Sequence, residues 1–511
     1  MTSRKGRQAR NRLANRIILA LLVLVVIAAL YGLVKFIRPV GLTSAATVGS
    51  AGQLTVTNAL VGCPAPGSAG ATGGGVAIAN VPAAVGTGHV ALTRLNAAAA
   101  GTQVGTAPRP GQLTVENVKP ARAVPKGMRV TAKMAGGLVP TGTARGGLII
   151  AAAGANAQGL DVEQLGPGGQ PTARCQPPGS DFWFVGPGGA HLHFYLYLMN
   201  TDSQQADAAL GVQTDSGPLL GAQDSGIVVP PHSMIVQSLD KLTRSAKSVA
   251  LHVTTSTGRV VAAVRATTSA SKEGMWLPAA APPSTMQVLS GLPANPGQRV
   301  LYLTDPGRAP AQVKVIAVSK RGSYEPTGGS QPLLSQQTVG VSIPSLGGTI
   351  GSIVITSNVP VTGALELSGG PTGSPGAFVV GGGAIVGQAI VAASTAGRAG
   401  TTELVLAAPG SAASVSVGEA VPGAPLTGVS GRIVNIPAKS SVEVRLTMPK
   451  KAGKATLIAI VVAPLSGSGP VYAGRVSSIR GSVQTVQPVV SSPARIELSQ
   501  VQQSLLAVLG S

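Results

Sequence analysis

Two carboxylates two residues apart, Asp161 and Glu163, and two imidazoles two residues apart, His191 and His193, are the groupings in this chain whose types and spacing could do chemistry. A carboxylate pair can supply the acid and the nucleophile or base of glycoside hydrolysis, and such residues need no fixed sequence spacing. Only seventeen carboxylates are spread along the chain and nothing in the sequence singles this pair out, so a solvated turn is the favoured reading of Asp161 and Glu163. His191 and His193 would share one face of a strand, where side chains alternate with a period of two. They make a weak candidate metal pair that Asp181 or the distant His232 could complete. The segment HLHFYLYL (191–198) also sets His191, His193, Tyr195 and Tyr197 against Leu192, Phe194, Leu196 and Leu198. A polar-aromatic outer face explains that pattern without a metal, so neither metal nor cofactor is expected.

Six of the thirteen aromatic residues crowd into 182–197. Exposed aromatic platforms bind sugar rings or partner proteins, which makes Phe182, Trp183, Phe184, Tyr195 and Tyr197 the candidate binding surface. Core packing is the competing reading, because aromatics dominate burial in chains that have few of them. Trp276, in GMWLP, takes a similar local place at the start of a later unit and favours a structural role. Enzyme signatures are missing. There is no G-x-S-x-G elbow, no HExxH and no GxxxxGK[ST] loop, and the glycine triplets at 73–75 and 381–383 lack GxGxxG spacing and a strand–helix context. No catalytic residue is assigned.

The elements that would position these side chains begin with residues 17–34, eighteen residues without a charge. As a helix the run is about 27 Å long, close to the hydrocarbon thickness of a bilayer. It is preceded by Arg4, Lys5, Arg7, Arg10, Arg12 and Arg16 and closed by Lys35 and Arg38. An acid-free basic tail stays cytoplasmic, so the remainder of the chain is expected outside. The run is longer than a signal-peptide apolar region, and Ser44-Ala45-Ala46 lies some ten residues past its end, which favours an uncleaved anchor. The anchor region also accounts for part of the formal charge of +21. Its eight basic residues removed, 30 basic face 17 acidic residues, a spread bias of +13 with no dense basic block. Nucleic acid is therefore a poor partner. Such a surface suits anionic wall polymers or lipid head groups, or simply solvent. Cys63 and Cys175 both fall on the exported side, where two thiols most simply pair; neither sits in a CxxC.

Beyond a Gly/Ala/Thr-rich linker at 39–52, short β-branched runs are broken by Gly and Pro about every ten residues, as in sandwiches or barrels. A degenerate repeat of roughly a hundred residues follows. HFYLYLMNTDSQQADAALGV, RVLYLTDPGRAPAQVKVIAV and TELVLAAPGSAASVSVGEA are each a hydrophobic strand, a turn and an alternating strand, and Leu251, Ile353 and Leu457 head later strands at nearly even spacing. The reading is a mostly β protein: a single N-terminal transmembrane helix followed by tandem immunoglobulin- or fibronectin-like β-sandwich domains. A β-propeller-like arrangement is the alternative, since a unit could hide two blades. The segments are a cytoplasmic tail (1–16), the anchor (17–38), the linker (39–52), an N-terminal β domain (53–174), three sandwich repeats (175–270, 271–375 and 376–482) and a C-terminal tail (483–511). The first β domain would be stapled to the next unit by Cys63–Cys175.

The Arg-rich start, the anchor, Cys63 in LVGCPAPG, Cys175 in ARCQPPGSDFWF, and the phrases GVQTDSG and ALHVTTSTGRVVAAV resemble an uncharacterised actinobacterial family of membrane or secreted proteins, domain of unknown function 5719. The resemblance covers about residues 50–480. It implies an actinobacterial envelope setting and a non-enzymatic role, and brings no activity, cofactor or catalytic residue. The expected function is a non-enzymatic, single-pass cell-envelope protein with scaffolding or protein-interaction work outside the membrane. The alternative is a module binding wall or surface glycans through the 182–197 aromatics. A glycan hydrolase is the third reading and would need a cleft holding two carboxylates. The expected partners are the membrane and an envelope protein or cell-wall glycan.

Overall fold

Alternating β-branched and small residues make strands that can bury one face, and the chain follows that rule almost throughout. A computed structural model describes residues 53–64, 75–80, 88–95, 97–98, 115–117, 130–132, 147–165, 171–219, 224–268, 274–294, 297–344, 346–368, 377–395, 400–420, 431–446, 456–479, 482–492 and 495–497. Among these, the single helix is the four-residue Asp240–Thr243; the rest is strand and turn. The expected anchor at 17–34 lies outside the described residues, and among the described residues no helix is long and apolar enough to cross a membrane. The chain divides into two units, residues 1–54 with 496–511 and residues 55–495. Strands Gln53–Thr55 and Arg495–Glu497 pair into a two-stranded sheet.

The large unit contains four modules with one connectivity. Each is built on eight strand positions, beside which the short strands Ala97–Ala98, Gly217–Pro218 and Gly322–Tyr324 are extra. The first, sixth, third and fourth form one antiparallel sheet in that order, here called the forward sheet; the eighth, seventh, second and fifth form the rear sheet. In the first module the forward order is Asn58–Cys63, Gly147–Gly154, Gly88–Leu95 and Val115–Asn117, and the rear order is Pro171–Arg174, Asp161–Leu165, Gly75–Ala79 and Val130–Ala132. In the second, Asp181–Pro187, Ser248–Thr257, Ala206–Thr214 and Asp224–Val229 face Met275–Leu277, Val261–Thr268, Leu192–Met199 and Met234–Ser238. The third compresses its sixth and seventh strands into one long strand, Gly351–Ser368. Its first half pairs with Ser284–Leu292 and Ala311–Ser319 in the forward sheet, and its second half with Gln298–Thr304 and Ala377–Gly382 in the rear sheet. The fourth orders Ala389–Thr395, Thr456–Pro464, Ala413–Ala420 and Arg432–Ile436 against Ser482–Val489, Tyr472–Ile479, Gly400–Ala408 and Ser440–Arg445. No described sheet of the four modules consists of four consecutive strands, as a simple blade meander would.

The two sheets of each module share a core. Phe184, Leu210 and Leu251 of the second module's forward sheet meet Phe194, Leu196 and Leu198 of its rear sheet. Leu289, Val315 and Ile353 meet Leu301, Leu303 and Leu365 in the third, and Val391, Val415 and Ile460 meet Leu404 and Leu406 in the fourth. Each fully buried Val, Leu or Phe is worth about 1.5–3 kcal/mol of transfer free energy. In the first module Val61 and Ile150 pack on Val76, Ile78 and Val162, beside a disulfide between Cys63 and Cys175. Cys63 ends the module's first strand and Cys175 follows its eighth. The bridge therefore closes the first module on itself, where the sequence reading had it staple that module to the next.

The modules also pack on one another by one rule: the forward sheet of each meets the rear sheet of the next. Leu95 and Ile149 of module one contact Met199, Met234 and Val261 of module two. The second module's core takes in Tyr302, Ala364, Phe378 and Val380 of the third, and the third's takes in Val405, Val476 and Val486 of the fourth. Close approach is set by glycine: a Cβ on Gly147 would lie 2.5 Å from the Met199 methyl, and one on Gly474 only 2.0 Å from the Ser290 carbonyl oxygen. The succession then closes. Ile390, Ala392 and Ala459 of the fourth forward sheet pack on Ala77, Ala79 and Leu165 of the first rear sheet.

Candidate functional site

Strand Leu192–Met199 alternates buried and half-buried residues as far as Leu198. Leu192, Phe194, Leu196 and Leu198 enter the core; His193, Tyr195 and Tyr197 stand on the opposite face, with His191 exposed just before the strand. Antiparallel register places Arg265 opposite Tyr195, and Trp276 opposite Arg265. The Tyr197 and Trp276 rings lie 5.2 Å apart at a tilt of 53°, and the Arg265 guanidinium sits 5.7 Å from the Trp276 ring centre. That is within cation–π range. His193 Nδ1 is 2.9 Å from Asp240 Oδ2, while Asp240 Oδ1 accepts the Phe194 amide at 3.0 Å, so the short helix fixes the imidazole. Module one covers the end of this face near Tyr197 and Val236. The Tyr195 end carries the half-buried Tyr195 and Trp276, with the Arg265 guanidinium buried at 8% exposure beside the indole; half-exposed aromatics of this kind suit a sugar ring or a protein side chain.

Phe182, Trp183 and Phe184 do not belong to that surface. Their exposures are 9%, 5% and 1%, and all three are in the second module's core cluster. Trp183 points to the outer side of the forward sheet, where it stacks on His252 with centroids 3.9 Å apart and planes 12° apart. His252 Nε2 lies 3.2 Å from Asp181 Oδ1. Burial pushes the His252 imidazole below the ordinary histidine value, and the Asp181 carboxylate pulls the other way. The stack is invisible in sequence because it depends on the register of Trp183 with His252, 69 positions on. The histidines at 191 and 193 are not joined by Asp181, which serves His252, or by His232. Among the described residues no three His, Cys, Asp or Glu side chains are grouped to hold a metal ion.

Asp161 and Glu163 lie on strand Asp161–Leu165, 3% and 0% exposed, on one side of it. They are neither a solvated turn nor a cleft. Arg475, itself 0% exposed, donates both terminal nitrogens to the two Glu163 oxygens, and Gln487 Nε2 donates to Glu163 Oε1 at 3.0 Å. Arg475 Nη1 also donates to the Ala392 carbonyl at 2.6 Å. Asp161 accepts Arg174 Nε at 2.6 Å and the Ala392 amide at 2.8 Å. Burial holds the Glu163 carboxyl above its ordinary value, and the Arg475 charge opposes the rise. All four carboxylate oxygens accept hydrogen bonds from protein groups, so the pair does not offer a free acid and base. It joins module four to module one.

A further carboxyl, half-buried, sits where module two meets module three. The Tyr302 hydroxyl donates to Glu366 Oε2 at 3.0 Å, burial raises both groups, and nearby His191 draws Glu366 back down.

A family described as a "Family of unknown function (DUF5719)" matches residues 128–447, more than half of the chain. No curated protein matches it.

Proposed function

We propose that this chain, which belongs to the DUF5719 family of unknown function, is a non-enzymatic, membrane-anchored cell-envelope protein whose extracytoplasmic bulk is a scaffold for protein contact. The observation that carries the reading is the closed succession of four modules, ended by the buried Glu163–Arg475 pair. Such a body offers a firm surface on which loops and faces hold fixed positions. The Cys63–Cys175 bridge supports an oxidising, extracytoplasmic setting, since disulfides persist there and are rare in the cytosol. The apolar run at 17–34 supports the single-pass anchor, and the resemblance supports an actinobacterial envelope. We read the modules as immunoglobulin-like in architecture, two sheets around one core, with their own strand order; surface modules share that architecture without always sharing its topology.

The contact surface in this reading is the Tyr195 end of the second module's rear face, where Tyr195 and Trp276 are half-buried over the buried Arg265. A photo-crosslinking residue placed at Tyr195 in the full-length protein in its own membrane is expected to capture one or a few envelope proteins, with capture lost in Trp276→Ala. No protein adduct at that position would remove the reading. Glycan binding is the second reading, favoured by the Tyr197–Trp276 pair. Trp276→Ala, not a change at buried Trp183, is its proper test; a flat glycan array unaltered in that variant would eliminate it.

A further inference from the structure

In each of the first three modules a buried polar residue follows the second strand: Asn80 after Gly75–Ala79, Asn200 after Leu192–Met199 and Asp305 after Gln298–Thr304. Modules two and three match here loop for loop. Residues 200–205 and 305–310 join second strand to third, and residues 230–233 and 334–337 join fourth strand to fifth. The Asn200 amide donates to the Ser233 carbonyl at 2.8 Å, and the Asp305 amide to the Gln337 carbonyl at 3.2 Å. Asn200 Oδ1 accepts the Asp202 amide at 2.9 Å, and Asp305 Oδ1 accepts the Gly307 amide at 2.7 Å. The remaining side-chain atom is where the two modules part. Asn200 Nδ2 donates to the Gln204 carbonyl at 2.7 Å and the Val229 carbonyl at 3.0 Å, which ties its loop to the end of the fourth strand. Asp305 has an oxygen in that role, and among the described residues this buried Oδ2 has no hydrogen-bond partner. The positions equivalent to Gln204 and Val229 are Ala309 and Leu333, whose carbonyls only accept, as does an ionised carboxylate. A carboxyl that keeps its proton can donate as the amide does.

We propose that Asp305 is a proton-operated latch: protonated, it ties the 305–310 loop to the fourth strand as Asn200 does permanently in module two, and deprotonated it lets that loop go. Burial holds the carboxyl above 3.8, while the Gly307 and Ala311 amides draw it back down. The latch is therefore closed below 3.8 and opens as pH rises through the raised value. The charged side chains on the elements around it are already placed. Arg308, on its own loop, is exposed; Lys314, on the third strand, pairs with Glu325; and across the junction Asp215 Oδ1 accepts the amide of exposed Lys247. The latch bears on the contact between modules two and three. Gln337, whose carbonyl holds the Asp305 amide, donates Nε2 to the Asp215 carbonyl at 2.6 Å, and Thr304 Oγ1 donates to Gln213 Oε1 at 2.7 Å. Release of the loop loosens this polar seam, and protonation tightens it.

Hydrogen exchange at single amides of the full-length protein, corrected for the intrinsic effect of pH, tests this. From pH 4 to pH 8 the Asp305 and Gln337 amides are expected to lose protection about tenfold or more. In Asp305→Asn the same two positions should be as protected at pH 8 as at pH 4. Asn200→Asp carries the device into module two, so at pH 8 the amide of residue 200 should exchange about tenfold faster than in the unchanged protein. Protection at 305 and 337 that is indifferent to pH in the unchanged protein, or a loss that persists in Asp305→Asn, would overturn the latch. An amide at 200 unmoved by Asn200→Asp would overturn it too, by removing the equivalence of the two loops.

Discussion

Removing the Cys63–Cys175 bridge is a perturbation whose size can be worked from the structure. The cysteines are 112 positions apart. For a loop of that length the chain-entropy model assigns about 5 kcal/mol at room temperature, an upper figure given how often bridges deliver less. The folded side of the balance changes little. Gly62 and Gln176 exchange backbone hydrogen bonds at 2.8 and 3.1 Å, and the Cys175 amide bonds the Val162 carbonyl at 2.8 Å, so the strand ends stay together without the sulfurs. Cys63 and Cys175 are 0% and 3% exposed, and the paired alanine variant also vacates core volume, which adds a smaller loss of the same sign. A chain of four modules need not unfold in one step, so the assay should read module one itself. Native-state hydrogen exchange at strands Gly147–Gly154 and Asp161–Leu165 should show opening free energies lower by about 3–5 kcal/mol in Cys63→Ala/Cys175→Ala, with unchanged far-ultraviolet dichroism. Unchanged protection in those strands would refute the reasoning. Alkylation of the unreduced native protein should label neither thiol.

Three other outcomes follow from the buried ion pair, the stack and the half-buried Glu366. Arg475→Met leaves Glu163 buried without its partner and should cost about 3–5 kcal/mol, most of it recovered by adding Glu163→Leu; a urea midpoint unmoved by the single change would show the pair to be energetically idle. In a Trp276→Phe background, Trp183 is the remaining tryptophan of the two, and its fluorescence should be quenched as His252 gains a proton. Because burial lowers the His252 value, that midpoint should lie below 6.5, and the stability associated with neutral His252 is present above 6.5 and lost as pH falls through the midpoint. A transition above 6.5, or one that persists in His252→Gln, would contradict the stack. Glu366 is raised from 4.5 by burial, so its contribution is present below 4.5 and lost as pH rises through its folded value. Glu366→Gln keeps an acceptor for Tyr302 and should melt higher than the unchanged protein at pH 8, with a flatter pH dependence; a lower melting temperature there would reverse the argument.

What the sequence made legible was local. The period-two alternation of HLHFYLYL separated inward Leu192, Phe194, Leu196 and Leu198 from outward His193, Tyr195 and Tyr197, because strand geometry alone fixes which side each residue takes. Leu251, Ile353 and Leu457, noted for their even spacing, all fall in sixth strands of their modules. The cysteine pairing was legible from an expected exported setting and from there being two cysteines. Its role was not, because only the strand order shows that residues 63 and 175 flank one module. The aromatic cluster misled for a physical reason: Phe182 and Phe184 alternate inward as surely as Leu192 does, and Trp183 is covered by His252 from a strand 69 residues on. The carboxylates at 161 and 163 looked unremarkable because their partners, Arg475, Gln487 and Ala392, are hundreds of residues away. Closure of four like modules has no local signature. It depends on which alanine-rich faces meet, and that is set by the whole succession of junctions.

The Ala392 amide tests this closure most directly. It lies on an edge strand of the fourth module and donates across the junction to Asp161 Oδ2 of the first at 2.8 Å. A hydrogen bond to a charged acceptor is worth about 1.5–3 kcal/mol, so Asp161→Ala should speed exchange at Ala392 about tenfold to a hundredfold. Exchange at Ala392 that is already fast in the unchanged protein, or that is indifferent to Asp161→Ala, would contradict a fourth module docked on the first.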